Sequence, residues 1–223
     1  MSKKRWLICG ILAVMLGCLT LEARTFQEVR AAAEQGDADA QFELGLYHSL
    51  GICVKNDAAE TEKWFRKAAE QGHVAARAYC LSEGYGAKKD LEKAGEVARP
   101  AAEAGDHWAQ FCMGIHYGAK EDPEKSLLWF RKAAEQNNSW AQVFLGMAYL
   151  GIMKGVPADP AQGVYWFRKA AEQENPMGQM MLAGCYAGGE GVPRDLDKAV
   201  YWFRKAAEQG CEPAKAALKK LGR

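Results

Sequence analysis

Near the end of the chain, Ala199, Trp202, Phe203, Ala206 and Ala207 fall at i, i+3, i+4, i+7 and i+8, which places all five on one stripe of an α-helix. Arg204, Lys205 and Glu208 take the opposite, wet side. The pattern returns because the words return. Trp-Phe-Arg-Lys-Ala-Ala-Glu-Gln starts at Trp64, Trp129, Trp166 and Trp202 without a change, and the last three starts are 37 and 36 residues apart. The first gap, of 65 residues, leaves space for one more copy, and a worn one stands there from Val97 to Glu103. Self-similarity at this period is the mark of a repeat architecture in which each unit buries its apolar stripe against its neighbours.

A second block precedes each string, clearest from Ala40 to Gly45, from Ala109 to Gly114 and from Ala141 to Gly146, and blurred from Ala76 to Leu81 and from Gly178 to Ala183. Each unit is therefore read as two helices. Leu145 and Tyr149 lie one turn apart on the first helix, and Gly146 beside them has no side chain, so the partner helix can approach closely. Asp57, Asp90, Asp122, Asp159 and Asp195 stand just before the second helices, where a carboxylate accepts from free N–H groups and complements the helix dipole. Asp122-Pro123 and Asp159-Pro160 add Pro at the first helical position. Gly72, Gly105 and Gly210 are placed to close helices in the left-handed conformation, with Asn137 and Glu174 as substitutes.

These signals predict an all-α chain of about five two-helix repeats, at 37–72, 73–105, 106–137, 138–174 and 175–210. The ends carry half-repeats. Thr25 to Gln35 is a lone second-type helix opened by the Thr-x-x-Glu capping box of Thr25 and Glu28, and 211–223 holds a cap helix of the first type made soluble by Lys215, Lys219 and Lys220. Pro100 falls inside the second helix of unit two, where a kink is expected.

At these residues the chain resembles the Sel-one-like repeat family, a relative of the tetratricopeptide repeats. Unit five, Leu182 to Asp195 followed by Lys198-Ala199 and by Trp202 to Gly210, carries the resemblance best, and the likeness extends over 25–221. It implies a right-handed α/α superhelical solenoid whose first helices line a concave surface, acting as an adaptor or scaffold in protein complexes. Units two and three depart from the family pattern by lacking its Gly-x-Gly-Val loop. Some cysteine-rich relatives are described as penicillin-binding or β-lactamase-like, so an envelope hydrolase is the alternative; their regular cysteine pairs within each repeat are absent from this sequence.

Residues 1–23 read as a cleaved signal peptide, with Lys3-Lys4-Arg5 as the basic segment and Trp6 to Leu21 as an apolar stretch too short for a stable span. A periplasmic or secreted location follows. The alternative is a lipoprotein held through Cys18, the one case in which a membrane partner is expected. Losing Lys3, Lys4, Arg5 and Glu22 with the leader turns the formal charge from +1 to −1, which leaves no field to steer the protein onto nucleic acid. A monomer is expected. The leader also takes Cys9 and Cys18, leaving Cys53, Cys80, Cys112, Cys185 and Cys211. In an oxidising compartment, five requires at least one thiol to stay free or to pair with another molecule.

No catalytic or cofactor motif accompanies the repeats, and no cofactor is expected. Ser49, Ser82, Ser126 and Ser139 are followed three places on by Ile52, Tyr85, Trp129 and Gln142, so no Ser-x-x-Lys is present. His-Glu-x-x-His and Cys-x-x-Cys are absent too. His107, Cys112 and His116 sit at offsets of five and nine, which turn them to different sides of a helix and argue against a metal site. Gly188-Gly189-Glu190-Gly191 reads as a loop between helices.

Partner contact is expected on the concave face. The tetratricopeptide pattern puts the groove positions six and three residues before the packing glycine and one after it. Besides Asp39, Ala75, Ala78, Ser82 and Gly184, those positions give ten large apolar candidates: Phe42 and Leu46 in unit one, Trp108, Phe111 and Ile115 in unit three, Trp140, Val143 and Met147 in unit four, and Met177 and Met180 in unit five. Trp108 and Trp140 on successive units would form a ledge for an apolar or aromatic-bearing peptide or helix.

Overall fold

The computed structural model describes residues 23–222, and within them the chain forms twelve helices and no strand. They are α1 (Phe26–Glu34), α2 (Ala38–Leu50), α3 (Ala58–Glu70), α4 (Val74–Glu83), α5 (Leu91–Glu103), α6 (His107–Ala119), α7 (Pro123–Glu135), α8 (Ser139–Tyr149), α9 (Pro160–Glu172), α10 (Pro176–Gly188), α11 (Leu196–Glu208) and α12 (Glu212–Lys220). The leader, with Cys9 and the lipid-anchor candidate Cys18, lies outside the described residues. Helices pack against their chain neighbours, and α4 meets α6 and α8 meets α10 across the inner side. The fold is an all-α solenoid of about five two-helix repeats: α2 and α3 form the first unit, α10 and α11 the fifth, and α1 and α12 are half-repeats.

The ends of the helices follow from short polar signals. Asp57, Asp90, Asp122, Asp159 and Asp195 each accept a hydrogen bond from a backbone N–H in the first turn of α3, α5, α7, α9 and α11. Both hydrogen bonds of the Thr25–Glu28 capping box form at α1. Gly72, Gly105 and Gly210 have φ of +86°, +103° and +91°, and Asn137 and Glu174 hold the same backbone at 63° and 59°. The helix of unit two runs unbroken through Pro100. Pro100 and Glu96, the residue whose carbonyl loses its partner, are both exposed, so water can replace the missing bond and the helix continues.

Within a unit, a phenylalanine of the second helix lies flat on the backbone of the first. A Cβ at Gly45 would come within 2.7 Å of the Phe65 ring, and one at Gly114 within 2.5 Å of Phe130; Gly146 faces Phe167 in the same way. Unit two reverses the sizes at these positions, with Leu81 in place of the glycine and Ala98 in place of the phenylalanine. Bulk is thus moved from the second helix to the first, a volume-conserving exchange of the kind that packed interiors tolerate best.

Between units, a buried glutamine ladder sets the stacking. Gln41, Gln110, Gln142 and Gln179 donate through Nε2 to the carbonyls of Ala33, Ala102, Ala134 and Ala171 in the preceding second helix. Each accepts at Oε1 from Gln71, Gln136, Gln173 or Gln209 at the end of its own unit. Unit two lacks both partners together: Arg77 and Ala104 occupy the two places, and Arg77 points to solvent.

The ends of the array meet. The backbone N–H of Phe26 donates to Oε1 of Gln209 at 2.7 Å, Ile52 packs against the small core of Ala206, Cys211 and Ala214, and Cys53 is joined to Cys211 as a disulfide across 158 residues.

Candidate partner-binding face

The inner face is built by α2, α4, α6, α8 and α10, and the closing of the array decides how much of it a partner could touch. The Trp140 indole is fully buried; its Nε1–H donates to Oε1 of Glu43 at 3.0 Å, and its ring meets Tyr47 edge to face with centroids 5.1 Å apart. Trp108 is 5% exposed and meets Phe42 edge to face at 5.0 Å. The expected indole ledge is therefore corrected: unit one covers it, because the array curves far enough for α2 to reach α6 and α8. Phe42, Leu46, Phe111 and Val143 are buried as well, and these four serve as core in which neighbouring inner helices meet.

Four of the ten expected positions keep accessible surface. Ile115 on α6, Met147 on α8, and Met177 and Met180 on α10 are half-buried. Gly184 beside them is exposed, and a Cβ there would meet open space.

Polar groups on this face belong to the array's own contacts. Asp39 takes a hydrogen bond from Nε2 of His73 at 3.2 Å, which holds its carboxyl below the usual range. The Nδ1 of His73 is already occupied as acceptor for the N–H of Ala76, so the ring proton sits on Nε2. Glu43 is different. Burial pushes its carboxyl up to about 7 against the counteracting Trp140 hydrogen bond, and the nearby Tyr47 hydroxyl is buried with no hydrogen-bond partner. Among the described residues, no group of His, Cys, Asp and Glu side chains is arranged to hold a metal ion.

The Sel1 repeat model matches five times, at residues 38–73, 75–106, 109–138, 141–175 and 176–211. The chain belongs to the Sel1 repeat family. Members of this family generally serve as scaffolds for protein–protein interaction. Among solved structures, this Sel1 repeat chain is similar to a protective antigen present in uropathogenic Escherichia coli strains, at 35% identity over 84% of this chain and 42% of the other, with a TM-score of 0.58. It is also similar to a Sel1 repeat protein from Oxalobacter formigenes, at 34% identity over 88% of this chain and 58% of the other, with a TM-score of 0.56. The chain thus spans about half the length of these relatives. An immunity protein of Pseudomonas aeruginosa, 15% identical over 85% of this chain and 75% of its own with a TM-score of 0.51, shares the fold alone. No curated protein matches the sequence of this chain.

Two features of this Sel1 array escape a reading by repeat position. Glu43 stands in a column otherwise filled by Tyr79, Cys112, Phe144 and Met181; a lone acid in an apolar column was the available signal. The pairing of Cys53 with Cys211 had no signal in spacing, because it joins the two ends of the superhelix.

Proposed function

We propose that this protein is a non-catalytic adaptor of the bacterial periplasm or envelope that holds a peptide or helix on the accessible part of its inner face. The observation that carries this reading is the run of half-buried Ile115, Met147, Met177 and Met180 on three successive inner helices. Unbranched, polarisable Met side chains repack around differing partners, and an apolar patch rimmed by polar groups is a common form of polypeptide contact. Membership of a scaffold family supports the same reading. No helix among the described residues is long and apolar enough to cross a membrane, and export rests on the leader alone.

A photo-crosslinking side chain at Met147 or Met177 tests the assignment in the native envelope, with one at Tyr201 on the outer surface as the control. Adducts formed from the inner positions and missing from Tyr201 are the expected result. Equal labelling from both, or none from the inner pair, removes the assignment.

A further inference from the structure

Two cysteines stand where the repeat carries something else. The equivalents of Cys53 in units two, four and five are Gly86, Gly155 and Gly191, with φ of 69°, 85° and 70°. Cys53 keeps the same left-handed backbone at φ 58°, a conformation that penalises a residue with a Cβ. Cys211 occupies the N-cap of α12. On the other inner helices that place is held by Asp37, His73, Asp106, Asn138 and Asn175, each accepting a backbone N–H, whereas Cys211 makes no such bond. Each cysteine thus weakens its own segment, and the two are joined to each other.

What the bond secures is the closure of the array. It lies beside the packing of Ile52 on the α12 end, and unit one, held there, is the lid over Trp108 and Trp140. The groups that oppose closure are carried on the inner side of the lid itself: the desolvated Glu43 carboxyl and the unpartnered Tyr47 hydroxyl of α2.

We propose that the Cys53–Cys211 disulfide is a reducible clasp that keeps unit one shut against the C-terminal half-repeat, and that a dithiol reductant opens the inner face from α2 to α10. The order of the exchange follows from access: Cys53 is half-buried and Cys211 fully buried. A thiolate of the reductant attacks the Cys53 sulfur, the S–S bond breaks, and Cys211 leaves as a thiolate that takes a proton. The reductant's second thiol then displaces Cys53 from the mixed disulfide. Two electrons and two protons pass to the protein, and the reductant ends as a disulfide. The biological use of the clasp rests on the inner face being the binding face; the opening itself does not.

The experiment uses the full chain, oxidised and after dithiothreitol, beside Cys53→Gly and Cys211→Asn. Each variant restores a residue that the repeat carries elsewhere, so helix content by circular dichroism should hold. Peptide mapping without reduction should recover the fragment pair linked through Cys53 and Cys211. Reduction, or either variant, should raise acrylamide quenching of indole fluorescence roughly twofold as two sealed indoles gain solvent through local opening, and should enlarge the radius of gyration. Absence of the linked fragments overturns the proposal. So does a linked protein whose quenching and radius ignore reduction, and so does loss of helix on reduction and in both variants, which would make the bond a staple of the fold. If the array opens as described while crosslinkers at Met147 and Met177 capture nothing, the clasp stands and the adaptor reading falls.

Discussion

Gln173 Nε2 lies 2.7 Å from Gln142 Oε1, while Gln142 Nε2 lies 3.1 Å from the carbonyl of Ala134. One fully buried amide thereby ties together the end of α7, the start of α8 and the end of α9. Gln142→Ala would leave the Ala134 carbonyl with the Asn137 N–H alone and the Gln173 amide with only its long contact to the Lys169 carbonyl, and should destabilise the protein by about 0.5–1.5 kcal/mol. Arg77→Ala, at the equivalent but exposed place in unit two, should change stability by no more than about 0.5 kcal/mol. Urea unfolding monitored by circular dichroism compares the two.

The contact between Gly146 and Phe167 leaves no space for a methyl group. Gly146→Ala should therefore cost about 1–3 kcal/mol through forced displacement of the ring. Unit two shows the compensated form in Leu81 and Ala98. The double variant Gly146→Leu with Phe167→Ala is expected to lose less stability than the sum of its single changes, and a double-mutant cycle in urea measures the coupling.

Glu43 makes the fold sensitive to pH. Its carboxyl titrates at about 7 in the folded protein against 4.5 ordinarily, chiefly through burial. The folded state binds this proton more tightly than the unfolded one, so the contribution to stability is complete below pH 4.5 and is lost as pH rises towards 7. Glu43→Gln keeps an acceptor for the Trp140 indole and removes the charge. It should raise stability at pH 8 by roughly 1–2 kcal/mol, allowing for partial solvation of the group, and leave it nearly unchanged at pH 4. Thermal melts at the two pH values check the sign.

Cys80, Cys112 and Cys185 are buried and unpaired. Burial raises the Cys80 and Cys185 thiols to about 11 and raises Cys112 further still. Since the thiolate is the reactive form, these three should label slowly with a disulfide reagent at pH 8 in the native protein and rapidly in guanidinium. Fast native labelling at Cys112 would contradict its placement, where Sγ rests 3.5 Å from the Ala75 carbonyl.

Much of the fold could be read from local signals. The four unchanged strings from Trp64, Trp129, Trp166 and Trp202 set the period, and the Asp caps and left-handed closures at Gly72, Gly105 and Gly210 set the helix ends, because these are matters of a few consecutive residues. The candidate site was less legible. Ile115, Met147, Met177 and Met180 remain accessible, whereas Trp108 and Trp140, the two residues that looked most like an interaction ledge, are core. What covers them is unit one, two repeats away from Trp108 and three from Trp140 along the chain.

The sequence by itself determined the hairpins, their number and the way each second helix packs on its first, since these depend on contacts within one unit or between neighbours. Only the tertiary structure decided whether the inner surface is open. That outcome depends on a small rotation added at every unit and summed around the array, which no single repeat encodes. The sum brings Phe26 to Gln209, Glu43 to Trp140 and Cys53 to Cys211.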